Sequence, residues 1–342
     1  MNIVRVALAV PLPRFFDYLY PPDLTPIVGG RVLVPFGSQK RVGIVVDLPA
    51  SSDVAKEKLK PIIDVLDAES LFNSTTWDWL AWSANYYRAA LGDVLFQALP
   101  VKLRNGESAV KNNRTFWRIT DLGKQALESG ELKRAKKQIE ALNLLLTQDL
   151  EKGNNEISSA IWSALKGKDY VEEIIVPTEQ KSWQQALGDN PLANLDNRLT
   201  LNKQQALAFS QLLFQEGFNV WLLEGVTGSG KTEIYLQYIE EVLKKGKQVL
   251  VLVPEIGLTP QTVRRFQARF NVEIDVLHSN LNDTQRLNVW ERAKTGQSAI
   301  VIGTRSALFT QFSDLGLIIL DEEHDGSFKQ QDGWRYHARD LG

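Results

Sequence analysis

Residues 219–246 read NVWLLEGVTGSGKTEIYLQYIEEVLKKG, which is an apolar run, a glycine-rich octapeptide and then a helical pattern. The octapeptide matches G-x-x-x-x-G-K-[ST], and its context predicts a strand over 220–223, a loop, and a helix from Lys231 onward. Backbone N–H groups of such a loop, together with the positive end of the helix dipole, attract an anion. The stretch therefore predicts a phosphate-binding loop, whose members are Gly225, Val226, Thr227, Gly228, Ser229, Gly230, Lys231 and Thr232.

Two side chains of this loop suit the phosphates of a nucleotide and the metal that accompanies them. Lys231 is expected to reach the β- and γ-phosphates, and the Thr232 hydroxyl is expected to ligate Mg²⁺. ATP and Mg²⁺ are therefore the predicted cofactors.

A second group of acids follows an apolar strand some 90 residues downstream. The run LIIL, residues 317–320, leads directly into DEEH, residues 321–324. An acid at the end of a parallel strand lies on the edge where ligands bind in open α/β sheets. We expect Asp321 to hold the Mg²⁺ shell and Glu322 to position the attacking water. Together with Lys231 they are the predicted catalytic residues, whereas His324 is left open between the site and a simple capping or surface role.

The pattern around these motifs predicts an α/β fold for the C-terminal part of the chain. From residue 203 onward, short and almost continuously apolar runs alternate with amphipathic segments of about 12 residues. Such an alternation is typical of a parallel sheet that is covered by helices on both faces. We therefore predict one α/β unit over residues 201–342, preceded by a linker over residues 181–200, where apolar periodicity is lost.

The first half of the chain differs from this pattern. Residues 1–103 begin with strand-like alternation and contain one aromatic-rich helical segment, TTWDWLAWSANYYRAA, over residues 75–90. Its N-cap is expected at Ser74 or Thr75. Its tryptophans and tyrosines could form packing surface or a base-stacking platform. Residues 104–180 predict a small winged-helix-like α+β module.

Composition limits the classes of function. The chain has 342 residues, a net charge of −2 and no cysteine, so disulfides and thiolate metal sites are excluded within it. No apolar run reaches 18 residues, and the N-terminal apolar stretch is too short for a signal peptide. Between residues 102 and 137, however, ten basic residues face four acidic ones. This local excess suits either a solvated face or a phosphate backbone.

At this point several motifs carry a family resemblance. GVTGSGKT with DEEH resembles motifs I and II of superfamily 2 helicases, and Gln205 in LNKQQ resembles their adenine-contacting glutamine. VPEIGLTPQ (253–261) resembles motif Ia, and IGTRSALF (302–309) resembles motif Ib. GWRYHARD (333–340) resembles the aromatic-rich loop that couples DNA contact to hydrolysis. The resemblance implies a RecA-like motor lobe, ATP binding, and contacts to DNA from Thr259, Thr304, Arg305, Trp334, Arg335 and Tyr336.

Within that superfamily, the whole chain resembles the N-terminal part of the replication-restart DNA helicases. VPLPRFFDYLYP (10–21) and VLVPFG (32–37) resemble their DNA 3′-end-binding domain, in which a pocket accepts the terminal base and the 3′-hydroxyl. The positions that match this pocket are Phe16, Asp17, Gly37 and Lys60. The resemblance divides the chain into a 3′-end-binding domain (1–103), a winged-helix-like domain (104–180), the linker (181–200) and the first helicase lobe (201–342).

The resemblance also implies a function for the longer enzyme. It implies an ATP-dependent 3′→5′ DNA helicase that recognises forked DNA and initiates primosome assembly in the bacterial cytoplasm, associated with the nucleoid. The implied partners are forked and single-stranded DNA, other primosome proteins and single-stranded-DNA-binding protein, with no membrane. The chain stops at Gly342, before motif III, a zinc-binding insertion and a second lobe. We therefore expect a truncated chain that lacks zinc and turns ATP over weakly or not at all.

Two alternatives remain open on the residues. One is a transporter ATPase or nucleotide kinase, which shares the phosphate-binding loop but has a different acid motif from DEEH. The other is a structure-specific DNA-binding fragment that is catalytically inert. A helicase that is truncated before its second lobe would become such an inert DNA-binding fragment.

Overall fold

The computed structural model describes residues 2–10, 12–108, 113–130, 132, 135–152, 157–177, 181–213 and 217–342. The chain divides into two compact units. One unit is built from Met1–Ala109 and Lys181–Gly342, and the other is Val110–Gln180. The finer domain boundaries stay predictions.

The N-terminal part of the first unit is an antiparallel sheet with strand order β2-β1-β4-β3-β5. Val4, Val6 and Leu8 alternate along β1 and are buried, as the sequence pattern predicts. The strands of this sheet are β1 (Asn2–Leu8), β2 (Phe16–Tyr20), β3 (Arg31–Phe36), β4 (Gln39–Asp47) and β5 (Asp64–Val65).

Arg31 of β3 is fully buried and links this sheet by hydrogen bonds to residues that follow the sheet in the chain. Arg31 has no exposed surface, and its guanidinium donates to both carboxylate oxygens of Asp67, at 2.8 and 2.7 Å. Its remaining terminal nitrogen donates to the carbonyl oxygens of Leu103 and Glu107 at 2.6 and 2.8 Å. Because the charge is paired and hydrogen-bonded, burial is tolerated, and removal of one partner would cost ~3–5 kcal/mol.

Three helices follow the sheet: α1 (Ser74–Tyr86), α2 (Leu91–Gln97) and α3 (Val101–Arg104). The predicted helix over 75–90 is therefore present, but the predicted cap is wrong by one residue. Asn73 is the N-cap, because its side-chain oxygen accepts the Thr76 N–H at 2.7 Å. The helix ends before Arg88, which has a φ of 53°.

The second unit contains the strands β6 (Asn113–Ile119), β7 (Leu150–Glu151) and β8 (Val171–Pro177) and the helices α4 (Asp121–Glu128), α5 (Lys136–Thr147) and α6 (Ser159–Lys166). Its described strands form an antiparallel sheet in the order β7-β6-β8. The stacked rings of Trp117 and Trp162, 5.3 Å apart, lie in its core. This is the predicted α+β module, whereas the winged-helix assignment stays a prediction. Four charged residues of the predicted basic stretch lie outside the described residues: Lys111, Glu131, Lys133 and Arg134.

The C-terminal part of the first unit is a parallel sheet with strand order β10-β11-β9-β12. β9 and β11 are buried along their whole length, as their uninterrupted apolar sequences predict. The strands are β9 (Gln248–Leu252), β10 (Ile274–Leu277), β11 (Ile300–Gly303) and β12 (Leu315–Leu320), and the helices are α7 (Trp183–Leu187), α8 (Lys203–Leu213), α9 (Lys231–Lys244), α10 (Pro260–Arg269), α11 (Asp283–Lys294) and α12 (Ala338–Leu341).

The strand predicted over residues 220–223 is not formed. Residues 218–226 have no regular secondary structure, and Val220 and Leu222 are 83% and 74% exposed. Strand propensity is local, whereas a strand also needs a neighbouring strand for its N–H and C=O groups. Here no described strand pairs with this segment. Residues 214–216, at the end of the predicted preceding helix, lie outside the described residues.

Residues 181–200, which the sequence predicts as a linker, pack on the parallel-sheet core. The Trp183 side chain is buried there, and the Trp183 backbone N–H donates to the Gly296 carbonyl at 2.8 Å. Ala193 is also buried in this core and bridges to Phe270. Among the described helices, none combines the length and the apolar character that a membrane span requires.

Candidate nucleotide and DNA sites

The glycine loop adopts backbone conformations that favour glycine. Gly228 and Gly230 have φ values of 81° and 84°, and Gly230 is the N-cap of α9. A β-carbon at Gly230 would collide with the side-chain amide of Gln205. The loop is open to solvent, since Val226 is largely exposed. The loop therefore lies at the N-terminus of a 14-residue helix, which is the arrangement that suits an anion.

The Lys231 side chain folds back, and its ammonium group contacts this loop. Its Nζ donates to the Gly225 carbonyl at 2.5 Å and lies 3.3 Å from the Val226 carbonyl. The ammonium group thus occupies the inner side of the loop. A phosphate that entered the loop would replace these carbonyl acceptors with charged oxygens, which are stronger partners.

Gln205 contacts the loop from α8. Its Nε2 donates to the Ser229 carbonyl at 2.8 Å. Its Oε1 accepts the Asn202 N–H at 2.9 Å, and Asn202 in turn caps the Gln205 N–H. The structure therefore brings Gln205 to the loop, and its predicted contact with adenine stays a prediction.

Asp321 lies at the end of β12, as the sequence predicts, and it is linked to α9 through a residue that the sequence analysis did not select. The Tyr235 hydroxyl donates to Asp321 Oδ2 at 3.1 Å. The Thr232 side chain is close enough to that hydroxyl to affect the pKa of Tyr235. Burial raises the pKa of Tyr235 well above its ordinary value, and the Asp321 charge raises it further, so the hydroxyl stays a donor. The spacing of Tyr235 three residues after Thr232 places both on one helix face, which is the signal that could have identified it.

The oxygen atoms that meet at Tyr235 fit the chemistry of a magnesium site. Thr232 offers a hydroxyl and Asp321 a carboxylate, and Mg²⁺ in nucleotide sites takes one or two protein oxygens together with phosphates and water. Thr232 and Asp321 are therefore the residues that would hold the ion.

Glu322 follows Asp321 in an unusual backbone conformation. Its φ of 51° lies in the left-handed region, which costs a non-glycine residue ~1–3 kcal/mol. Its carboxylate lies 3.7 Å from His324 Nε2, and both side chains are more than half exposed. The next acid, Glu323, pairs with Arg339 at 3.1 Å. The DEEH segment thus presents its second carboxylate to solvent and uses its third one to bind the 333–340 loop.

The predicted DNA contacts of motifs Ia and Ib lie in two different settings. Thr259 is the N-cap of α10, and its Oγ1 accepts the Thr262 N–H at 3.2 Å. Thr304 precedes the 3₁₀ turn Arg305–Phe309. The Arg305 guanidinium donates to the carbonyl oxygens of Ser327 and Lys329 at 2.8 and 2.7 Å. Arg305 therefore holds the loop that follows DEEH, and its contact with phosphate stays a prediction.

The aromatic side chains of the 333–340 loop are buried in the protein rather than exposed to solvent. Trp334 and Tyr336 are 7% and 1% exposed, and their ring centroids lie 4.8 Å apart. Phe309 contacts both rings, at 5.6 and 5.1 Å. Burial raises the pKa of Tyr336 to about 12. Arg335, between the two rings, is exposed. Of the three residues of this loop that are predicted to contact DNA, Trp334, Arg335 and Tyr336, only Arg335 is exposed to solvent in this conformation.

The predicted 3′-end residues lie along the N-terminal sheet. Asp17 is paired through both oxygens with Arg5, at 2.8 and 3.0 Å, and it accepts the Ser52 hydroxyl at 2.6 Å. The hydrogen bond from Arg5 holds the pKa of Asp17 below its ordinary value, against the opposing effect of burial. Beside this group, residues 48–56 and the Tyr20 ring line a cavity of ≈ 690 Å³.

Of the other three predicted pocket residues, two lie at or near the turn between β3 and β4. Phe16 packs edge-on against Phe36, with ring centroids 5.2 Å apart. Gly37, next in the chain, has a φ of 61° and open space where a β-carbon would lie. Lys60 is exposed, and its carbonyl accepts the Leu19 N–H at 2.9 Å. The structure therefore brings Phe16 and Gly37 together through Phe36.

Two family models match parts of this chain. Residues 5–100 match the family model of the 3′ DNA-binding domain, and residues 202–342 match that of the DEAD/DEAH box helicases. Over 341 residues the chain is 76% identical to a replication restart protein PriA from Haemophilus influenzae.

The chain matches the N-terminal part of PriA proteins throughout. It is also 36% identical to PriA from Buchnera aphidicola subsp. Acyrthosiphon pisum and 30% identical to PriA from Bacillus subtilis, each over 100% of this chain. These alignments cover 47%, 46% and 51% of the three relatives, so the chain spans about half of their length. The predicted resemblance to replication-restart helicases is thus confirmed for this part of the PriA sequence.

Proposed function

We propose that the parallel-sheet part of this chain is the nucleotide-binding lobe of an ATP-dependent DNA helicase. The observation that carries the proposal is the cluster formed by Thr232, Tyr235 and Asp321 beside the glycine loop. A phosphate loop at a helix N-terminus and a carboxylate at a parallel strand end are the two halves of a magnesium–nucleotide site. The match of residues 202–342 to the DEAD/DEAH box helicases supports the same proposal.

In this proposal each side chain has a defined task. Lys231 exchanges the Gly225 carbonyl for phosphate oxygens of ATP. Thr232 and Asp321 hold Mg²⁺, which when bound neutralises charge that develops on the phosphates. Glu322 faces solvent and orients the attacking water. The exposed loop thus leaves room for the phosphates of the nucleotide at the N-terminus of α9.

The antiparallel N-terminal sheet is proposed to bind the 3′ end of a DNA strand. Asp17 is an ionised acceptor at neutral pH, and the hydrogen bond from Arg5 lowers its pKa further. It can accept a terminal 3′-hydroxyl proton in place of the Ser52 hydroxyl, while Lys60 meets phosphate and Phe16 borders the base. The match of residues 5–100 to the 3′ DNA-binding domain supports this proposal.

For the longer protein we propose a 3′→5′ helicase that recognises forked DNA and starts primosome assembly in the cytoplasm at the nucleoid. Its partners would be forked and single-stranded DNA, primosome proteins and single-stranded-DNA-binding protein. Zinc would be bound outside this chain, and the Val110–Gln180 unit would act as a winged-helix domain. The restart role is supported by the similarity to proteins named replication restart protein PriA, and the other points rest on the motif resemblance described above.

One observation favours a second candidate, a DNA-binding chain without nucleotide turnover. The segment before the glycine loop forms no strand, and Lys231 is engaged by carbonyl groups of the chain itself. The two candidates are separated by titration of the chain with Mg²⁺ and the ATP analogue AMP-PNP, and separately with a partial duplex that ends in a 3′-hydroxyl. The helicase-lobe proposal expects saturable binding of both, whereas the second candidate expects binding of DNA alone.

A further inference from the structure

Two aromatic side chains, Trp79 of α1 and Tyr87 directly after it, form hydrogen bonds with the end of the aromatic loop and the residues that follow it. The Tyr87 hydroxyl, just after α1, donates to Asp340 Oδ2 at 2.8 Å and accepts the His337 N–H at 3.0 Å. About two helical turns earlier, Trp79 Nε1 donates to the Leu341 carbonyl at 2.9 Å. Both partners of Tyr87 lie within four residues of each other, so a single hydroxyl contacts both ends of this turn.

The turn that Tyr87 holds is itself linked to the DEEH segment. Arg339 lies between the two partners of Tyr87 and pairs with Glu323 at 3.1 Å. The same guanidinium lies 3.7 Å from Asp340. Polar contacts therefore run without a gap from Tyr87 through Asp340 and Arg339 to Glu323, which adjoins the proposed water-positioning Glu322.

Aromatic contacts run in parallel with these polar contacts. The Tyr87 ring meets Trp334 edge-on at 6.3 Å, and Trp334 packs against Phe309 at 5.6 Å. Phe309 ends the 3₁₀ turn of motif Ib and also contacts Trp79 at 5.8 Å. Because packed rings and paired charges hold few alternative arrangements, displacement of α1 must displace the loop as well.

The chain just before α1 is also hydrogen-bonded to residues of the parallel-sheet part. The Leu71 carbonyl accepts Lys294 Nζ at 3.1 Å and Gln311 Nε2 at 2.8 Å. Both donors are largely or fully buried, and burial lowers the pKa of Lys294. The N-terminal part is therefore anchored at the start of α1, and Tyr87 is the contact at its far end.

We propose that Tyr87 is a positioning residue that couples occupancy of the 3′-end site to the nucleotide site. Its hydroxyl contacts both His337 and Asp340 of the 337–340 turn, and Arg339 of the same turn pairs with Glu323, the residue after Glu322. This inference rests on the proposed function, since it requires both a DNA site and a nucleotide site in the chain.

The test measures coupling between the two ligands rather than either affinity alone. The Kd of Mg²⁺·AMP-PNP is determined with and without a saturating partial duplex that ends in a 3′-hydroxyl, and the ratio is the coupling factor. Allosteric couplings usually amount to roughly 5–150-fold, and that range is expected for the wild-type chain. Loss of a hydrogen bond to a carboxylate corresponds to roughly tenfold. Tyr87→Phe should therefore lower the coupling factor by roughly tenfold, or to one if the wild-type factor is itself below about ten.

Two variants make the result specific to the hydroxyl. Tyr86→Phe changes the exposed neighbouring tyrosine, which is 57% accessible, and should leave the factor unchanged. Asp340→Asn removes the charge that receives the Tyr87 proton and should lower the factor as Tyr87→Phe does, with no further loss in the double variant. In each variant the thermal midpoint and the two separate affinities should change little, by about twofold at most for the affinities.

Each outcome decides between the proposals. If wild type binds both ligands with a factor of one, or if Tyr87→Phe keeps the wild-type factor, the coupling inference is overturned while the proposed function stands. If wild type binds no nucleotide, the proposed function fails and the inference fails with it. A general loss of both affinities and of the thermal midpoint in Tyr87→Phe, with the same loss in Asp340→Asn, would assign Tyr87 a structural role only.

Discussion

The hydroxyl of Tyr235 donates a hydrogen bond to Oδ2 of Asp321 over 3.1 Å, which joins the helix after the glycine loop to the end of β12. The two residues lie 86 positions apart in the chain. Both proposed magnesium ligands, Thr232 and Asp321, interact with one phenol. It therefore orients the Asp321 carboxylate from the helix that carries Lys231.

Tyr235→Phe is predicted to weaken binding of Mg²⁺·AMP-PNP. The variant keeps the ring stacked on Phe266 at 6.4 Å but removes the donor that orients Asp321. A hydrogen bond to a charged group contributes ~1.5–3 kcal/mol, so the affinity should fall by roughly tenfold or more. Binding without magnesium, measured in excess chelator, should not change. Tyr238→Phe on the same helix serves as the control, and an equal loss in both variants would argue against the role of Tyr235.

Asp17→Asn is predicted to reduce discrimination between DNA ends. A carboxylate accepts a 3′-hydroxyl proton and repels a 3′-phosphate, whereas an amide does neither strongly. Wild type should bind a 3′-hydroxyl end more tightly than a 3′-phosphate end, and the variant should bind the two nearly equally. The measurement is a fluorescence anisotropy titration with both ends. Asp23→Asn, at an exposed turn, is the control. Equal binding of both ends by wild type would contradict the assignment.

The Arg5–Asp17 pair also predicts a pH dependence of stability. The folded-state pKa of Asp17 is below its ordinary value of 3.8, chiefly because of the Arg5 hydrogen bond. The stabilisation is therefore complete above that ordinary value and is lost as the pH falls through the lower folded-state pKa. The thermal midpoint of Asp17→Asn should lie below that of wild type at pH 7, and the difference should shrink below about pH 4. A difference that stays constant down to pH 3 would contradict this prediction.

Trp334→Ala is predicted to destabilise the fold rather than to weaken DNA contact alone. The ring is 7% exposed and packs against Phe309, Tyr336 and Tyr87. Removal of a buried aromatic side chain costs ~3–5 kcal/mol. Urea denaturation should show this loss, whereas Trp82→Ala, at a side chain that is 47% exposed, should cost far less. A stable Trp334→Ala protein with poor DNA binding would restore the stacking role.

Much of the fold could be predicted because local sequence and final environment agree. β9 and β11 are continuous apolar runs and become fully buried strands. Thr259 followed by Pro260 predicts a helix start, and Thr259 caps α10 there. Asp321 follows an apolar strand and lies at its carboxyl end. In each of these cases the signal is contained within about ten residues.

The features that sequence reasoning missed depend on distant partners. Val220 and Leu222 have strand propensity, but a strand requires a neighbour that a local pattern cannot supply. Tyr235 becomes informative only when β12 brings Asp321 beside it. Trp183 lies in a segment of polar composition and is buried by packing against residues over 50 positions away. Likewise, the aromatic pattern of the 333–340 loop does not reveal that its rings pack against Phe309 and Tyr87.

The central claim is that Lys231 belongs to a nucleotide site, and isothermal titration of the chain with Mg²⁺·AMP-PNP tests it most directly. The account predicts one saturable site in wild type, a loss of at least about tenfold in Lys231→Ala, and unchanged binding of 3′-ended DNA. Lys245→Ala, at the exposed end of α9, should bind as wild type does. Equal nucleotide affinity in wild type and Lys231→Ala, or no binding by wild type, would contradict the claim.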